Sequence, residues 1–342
     1  MNAQALAALA LICPSCRQQG VEARLQLRPL HGSDASHAVD NGFFDCPRGC
    51  RYPIIAGIPI ILRDMADWWQ QSRHHLSAMT SEPPEMVDYF AYLAHAHPER
   101  LAERALLSTY MDAHYGHPTP PASWPDSAEY WQHITTLAER TTAGGLALDL
   151  GCGVGRLSFE LARWHQQVIG LDLNFQLVAA AACIQRTQQF DYERRLRGQQ
   201  FTRVTQPWSA PSNVLFLVAD ALDPPFAAAS FDTVAALNLL DNVNVPLVLL
   251  SQMDALLRSG GTLLLASPYE WRSDISEVSQ WLENADQDAA TTLRQILSAQ
   301  LIPQLSLNYQ ITAELAELPW VLRQHQRFWQ WFIVHCLAAR KG

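Results

Sequence analysis

The chain is 342 residues long, 49% hydrophobic and 17% charged, and carries a formal net charge of −9. Its length suits one catalytic-sized domain with smaller additions, and its balance is globular, which excludes a disordered chain. The acidic total disfavours broad, salt-driven contact with a nucleic-acid backbone, which needs clustered Lys and Arg. The one loose basic cluster, Arg194, Arg195, Arg197 and Arg203, reads as a solvated face.

No stretch reaches the about 20 apolar residues of a membrane-spanning helix. The apolar run from Ala5 to Ile12 lacks the basic leader of a signal peptide, so the expectation is a cytoplasmic protein with no membrane partner. Cysteine usage agrees, because four of the seven cysteines are spaced as metal ligands.

Three segments follow in chain order: a cysteine-bearing module over 1–64, a helical connecting or lid segment over 65–142, and an α/β domain over 143–342. In the first, Cys13-Pro-Ser-Cys16 and Cys46-Pro-Arg-Gly-Cys50 form two pairs, each able to place two thiolates on one tetrahedral ion. Four thiolates leave no open coordination position, so the expected metal is a structural zinc. A single redox pair is the alternative reading of Cys13 and Cys16. The run Arg51-Tyr-Pro-Ile-Ile-Ala-Gly-Ile-Pro-Ile-Ile61 resembles the small zinc-ribbon activator proteins of methyltransferases, which implies an activator fused in cis.

The Pro-rich stretch from His117 to Pro125 reads as a surface connection, and Thr141-Thr-Ala-Gly-Gly145 as a turn entering a strand. Beyond it, apolar runs alternate with helical patterns: Leu146 to Leu150, Val168 to Leu173, Val214 to Ala219, Thr233 to Leu237 and Thr262 to Ala266. Such continuous runs fit parallel strands buried on both faces of a doubly wound sheet. Gln304 to Ile311 and Trp329 to Ala338 would add a final hairpin, completing a Rossmann-like, seven-stranded domain.

Between the first strand and first helix, Gly151, Gly153 and Gly155 form a turn that lets backbone approach a ligand closely. A dinucleotide fingerprint needs its third glycine at the position of Arg156, so G-x-G-x-x-G fails. The G-x-G-x-G spacing fits the pattern of S-adenosylmethionine-dependent methyltransferases. Asp172, at the end of the second strand and followed by Leu173, is placed to accept bonds from both ribose hydroxyls. Asp220 and Ala221 end the third strand, where they could hold the adenine edge. Asp149 would orient the glycine turn or reach the methionine ammonium.

Four blocks, Gly155-Arg-Leu-Ser-Phe-Glu-Leu-Ala-Arg163, Asn238-Leu-Leu-Asp-Asn242, Ser267-Pro-Tyr-Glu-Trp271 and Leu318-Pro-Trp-Val-Leu-Arg-Gln-His-Gln-Arg327, resemble the C-terminal methyltransferase domain of ovothiol-biosynthesis enzymes. Tyr110-Met-Asp-Ala-His-Tyr-Gly116 is similar to a stretch of the same family. The resemblance implies N-methylation of a thiohistidine imidazole, with a partner enzyme supplying the thiolated substrate, since no sulfur-transferring domain is present.

Acceptor-site candidates lie where open α/β sheets bind ligands. Asn238 and Asp241 could hydrogen-bond an imidazole, Tyr269 could pack on it, and His114 and Tyr115 could close over it. Arg323 and Arg327 could clamp an amino-acid carboxylate. Trp124, Trp131, Trp329 and Trp331 read as core. Two other functions stay open on the sequence: an RNA methyltransferase gripping its substrate through the ribbon, and a non-catalytic S-adenosylmethionine-binding scaffold.

Overall fold

Val-, Leu- and Ala-rich runs, excluded from water on both faces, build the centre of the molecule. In the computed structural model of the chain, residues 9–29, 39–68, 98–117, 119–121, 124–125, 127–141, 144–298 and 307–342 are described. The central strands are β5 (Leu146–Leu150), β6 (Gln167–Asp172), β9 (Val214–Ala219), β10 (Phe231–Leu237) and β11 (Leu257–Ser267). They pair in parallel in the spatial order β9-β6-β5-β10-β11. A long antiparallel hairpin, β12 (Tyr309–His325) and β13 (Phe328–Lys341), docks through β13 on β11. This is the doubly wound α/β sheet expected from the alternating runs.

The final hairpin is longer than the sequence suggests. Its first strand runs far beyond Ile311, so Leu318 to Arg327 is strand and turn, while 304–306 of the expected strand lie outside the described residues.

The cysteine module is not a detached bead. Its strands β1 (Gln26–Pro29), β2 (Gly42–Asp45), β3 (Arg51–Ile55) and β4 (Ile58–Ile61) form an antiparallel meander. Strand β4 then pairs in parallel with β9, Ile60 opposite Val218 and Ile61 opposite Ala219, giving one eleven-stranded sheet. All four residues of β4 are buried, the pattern of an interior strand, and the pairing covers an edge of β9 that would otherwise be open. Arg17 and Arg63 both bind Asp223, and Ile12 N–H donates to Pro225 O at 2.9 Å, fastening the module to the loop after β9.

In the helical segment, α1 (Pro98–Met111) passes directly into a π-helical turn, Asp112–Gly116, and α2 (Ser127–Glu139) follows. The part of that segment at 69–97 lies outside the described residues. Helices α3 (Arg156–Leu161) and α4 (Phe175–Thr187) share one face of the sheet with α2. Helices α5 (Pro246–Leu256) and α6 (Ala289–Leu297) cover the other.

One element escapes the sequence reading. Strands β7 (Gln189–Arg197) and β8 (Gln200–Pro207) form a separate hairpin, and the basic cluster lies on it. That cluster is not a simple solvated face. Phe190 and Tyr192 are buried, Arg194 is drawn inward onto Asp112, and Arg203 pairs with Asp191. Arg194 thus spends its charge inside the fold, whereas Arg197 and Arg203 stay exposed.

Candidate functional site

The glycine turn follows β5 at positive φ: +70° at Gly151, +52° at Gly153 and +80° at Gly155. The end glycines have different reasons. A Cβ on Gly151 would lie 2.9 Å from Leu239 Cδ1, while one on Gly155 would lie 2.8 Å from both Ala181 Cβ and Phe216 Cζ. Gly155 thus lets α3 pack against α4 and β9, and it is not part of the cavity wall.

Arg156, where a dinucleotide site would have glycine, is buried. It pairs with Glu160 at 2.9 Å, donates to His114 O at 2.8 Å, and stacks 4.4 Å from the Trp208 ring centre. The arginine ties the first helix to the π-helical turn.

A cavity of about 540 Å³ opens over the carboxyl ends of the strands. Crossing from β9 to β5, its wall includes Asp220 and Ala221, then Asp172 and Leu173, then Asp149, Gly151 and Gly153. Asp172 accepts from Gly153 N–H at 3.0 Å and Asn174 N–H at 2.8 Å, so one carboxylate sets both the glycine turn and the entry to α4. Burial raises its pKa, and those backbone donors pull against the rise. Asp220 accepts from Leu222 N–H at 2.8 Å. Asp149 accepts from Ser158 Oγ at 2.6 Å, and burial pushes its pKa up to about 7.

Past β10 the wall becomes aromatic. Tyr110 and His114 stack at 5.9 Å, and His114 lies 4.9 Å from Trp131. Tyr130 meets Trp131 edge-on at 5.4 Å and stacks on Trp320 at 5.5 Å. No described residue hydrogen-bonds the His114 ring, whose Nδ1 is buried. Burial, with help from Arg156 and His117, drives its pKa down to about 3, so the imidazole is neutral at pH 7. Asn238 holds the end of β10 at φ +52°. Its Nδ2 donates to Tyr130 Oη at 3.2 Å, and its Oδ1 is buried without a partner.

Of the candidate acceptor residues, His114 and Asn238 are brought to this cavity, and five others are not. Tyr115 lies behind the wall, donating to Val154 O at 2.8 Å and packed on Phe190 and Trp208. Asp241 is 1% exposed and accepts from Glu270 N–H at 2.8 Å, which braces the loop after β11. Tyr269 Oη is 2.6 Å from His335 Nδ1, whose other nitrogen is 2.6 Å from Glu314. That network packs with the α5 and α6 layer. Arg323 is buried, bonded to Asp112 at 3.0 Å and to Arg195 O at 2.9 Å, and Arg327 is exposed at the β12–β13 turn. A substrate clamp needs a free guanidinium at the cavity, and neither arginine offers one there.

Tyr110, Tyr130 and Trp320, given no site role by the sequence, line the cavity, and so does Trp131, expected in the core. Only the adjacent Tyr130-Trp131 pair on α2 hints at a chamber. Asp112, which carries no local sequence signal, is fully buried and accepts from Tyr192 Oη, from Arg194 Nε at 2.6 Å and from Arg323 at 3.0 Å. Three separate elements meet there to hold the π-helical turn that carries His114, and such turns recur at functional sites.

In the N-terminal module, the sulfurs of Cys13, Cys16, Cys46 and Cys50 all lie within 4.8 Å of one another. Cys16 and Cys46 Sγ are 3.5 Å apart, near the about 3.8 Å edge of a tetrahedron with Zn–S bonds of about 2.3 Å. Tyr52 Oη lies 3.1 Å from Cys13 Sγ, and Arg48 N–H donates to Cys46 Sγ at 3.4 Å, supplying outer hydrogen bonds typical of thiolate ligands. The donor set and spacing fit zinc.

Comparison with known proteins bears on the catalytic half. Residues 148–265 match a methyltransferase-domain family. A ubiquinone biosynthesis O-methyltransferase from Xanthomonas campestris pv. campestris (strain B100) is 31% identical over 126 residues, 36% of this chain and 43% of that one. Methyltransferase GfsG from Streptomyces halstedii is 29% identical over 169 residues, 48% and 54% of the two chains. The matched stretches span about half the length of these relatives. Among solved structures, one concerned with converting a disulfide bond into a thioacetal group during echinomycin biosynthesis superposes with a TM-score of 0.41. It has 19% identity and covers 68% of this chain and 92% of that one, too loose a likeness to bear on function. The family match, the strand order and the glycine turn together give the chain the α/β fold of S-adenosylmethionine-dependent methyltransferases, preceded by a four-cysteine module.

Proposed function

We propose that this protein transfers a methyl group from S-adenosylmethionine to a small planar acceptor, the imidazole of a thiohistidine. The observation that carries the reading is a continuous cavity in which the three aspartates and the glycine turn lead directly into an aromatic chamber. In this reading Asp220 and Ala221 meet the adenine edge, Asp172 takes the ribose hydroxyls, and Asp149 faces the methionine ammonium. Fixed near-attack geometry is worth about 7–11 kcal/mol of barrier, so positioning by the chamber supplies most of the acceleration. In this reading the thiolated substrate comes from a partner enzyme.

The test incubates the protein with S-adenosylmethionine and, in turn, 5-thiohistidine, histidine and bulk RNA, and reads S-adenosylhomocysteine and methylated product. Turnover with 5-thiohistidine is expected. Methylation of RNA alone would overturn the reading, and so would no turnover with any acceptor. Arg272, exposed and 3.3 Å from Asn242 Oδ1 on the cavity wall, takes the clamping part first expected of Arg323 and Arg327. Arg272→Ala is expected to raise KM for an amino-acid acceptor several-fold and leave cofactor affinity unchanged.

Cofactor affinity should depend on pH through Asp149. Its pKa near 7 in the free protein means the carboxyl is largely protonated below pH 7, whereas a bound cation favours the ionised form. Affinity is therefore expected to fall as pH drops from 8 to 6, with proton release on binding measured by calorimetry in buffers of different ionisation enthalpy. Flat affinity across that range would remove Asp149 from contact with the cationic end.

The four cysteines hold a structural zinc in this reading, closed to substrate by its four thiolates. One zinc per chain is expected by elemental analysis. Cys46→Ser should lose it and destabilise the N-terminal strands, because metal binding and folding of such sites are one equilibrium. Zinc-free protein with an intact module would sink the assignment.

A further inference from the structure

The chamber beyond the cofactor motifs is unusual in its charges. Its wall is formed, among the described residues, by Tyr110, His114, Tyr130, Trp131, Asn238 and Trp320, with no Lys or Arg, and the carboxylates among the described lining residues belong to the cofactor end. Three buried polar atoms on these residues have no partner among the described residues: His114 Nδ1, Asn238 Oδ1 and Trp320 Nε1. Leaving buried groups unpaired is unfavourable, and a ligand presenting complementary atoms would pair them. Asn238 also sits in a left-handed conformation that asparagine adopts at a cost, and such strain concentrates at ligand sites.

We propose that the chamber accepts an uncharged planar ring bearing a ring N–H or O–H, with its polar edge on His114 and Asn238 and its faces between the aromatic side chains. This deepens the methyltransferase reading and rests on it. A charged acceptor would leave water without a counter-ion among the described residues of the chamber wall. A cation would also face the positive sulfonium, although aromatic cages alone can hold cations. The ammonium and carboxylate of an amino-acid acceptor accordingly stay at the mouth, and only its ring enters.

His114 is a hydrogen-bond partner here and not a general base. Its neutral imidazole, with a pKa near 3, has little tendency to keep a proton. In the transfer, the ring lone pair bonds the methyl carbon as the C–S bond breaks, and that electron pair stays on sulfur, leaving neutral S-adenosylhomocysteine. The ring N–H or O–H proton then passes to water.

The protein, loaded with S-adenosylhomocysteine, is titrated with 2-mercaptoimidazole, catechol, ethanolamine and phosphoethanolamine, with binding followed by ligand-observed NMR. The two neutral rings are expected to bind, and ethanolamine and phosphoethanolamine are not. His114→Phe keeps the aromatic stack and should weaken ring binding at least about tenfold. Trp320→Phe keeps the packing, removes only one donor, and should weaken it several-fold, which guards against a folding defect in the first variant. Ring binding unchanged in both variants, or binding of the charged amines in preference to the rings, would overturn the inference while leaving the methyltransferase reading intact. No uptake of S-adenosylhomocysteine would overturn both.

Discussion

Asp112→Ala is expected to destabilise the protein by about 3–5 kcal/mol, because removing one partner of a buried ion pair leaves the other charge uncompensated. Two guanidiniums depend on this carboxylate. Arg323 is 6% exposed, Arg194 is partly buried, and Tyr192 adds a hydroxyl donor to the same group. The loss should appear as a clear fall in Tm, with an added functional signature. The π-helical turn hung from Asp112 carries His114, so acceptor kcat/KM should fall further than cofactor affinity does. Asp112→Asn, which keeps acceptor capacity but loses charge, should lie between. A Tm within a degree of wild type would show that the three-element junction contributes little.

Asp172→Ala is expected to raise the dissociation constant for S-adenosylhomocysteine by about 100-fold or more. Hydrogen bonds to a charged group contribute about 1.5–3 kcal/mol each, and this carboxylate would lose both ribose contacts. It would also release Gly153 and Asn174, loosening the turn that the cofactor lies against. Calorimetry measures the change directly, and Asp172→Asn should retain part of the affinity. Wild-type affinity in the alanine variant would place the ribose elsewhere.

The fold was legible where burial is two-sided. Strands such as β9, with every residue buried, appear as unbroken apolar runs, and the glycine turn between β5 and α3 announces itself by spacing. The clustering of the four cysteines was readable from their paired spacing. The joining of β4 to β9 was not readable, because which edges of two sheets meet is a long-range choice without a local pattern. The β7–β8 hairpin was hidden by its arginines, whose charge suggested solvent while Arg194 in fact binds a buried aspartate. At the site, strand-end residues such as Asp149, Asp172, Asp220 and Asn238 could be placed from topology alone. Arg323 and Tyr269 could not, because a residue on a strand or the loop after it faces one layer or the other, and both are held away from the cavity by Asp112 and His335. The aromatic chamber depends on side chains from α1, the π-helical turn, α2 and β12 converging, which no window of sequence contains.

The most direct test of the account is a parallel calorimetric titration of the protein with S-adenosylhomocysteine and with NAD. The glycine turn that ends in the buried Arg156 predicts one saturable S-adenosylhomocysteine site per chain and no NAD binding. Saturable binding of NAD with none of S-adenosylhomocysteine would contradict it.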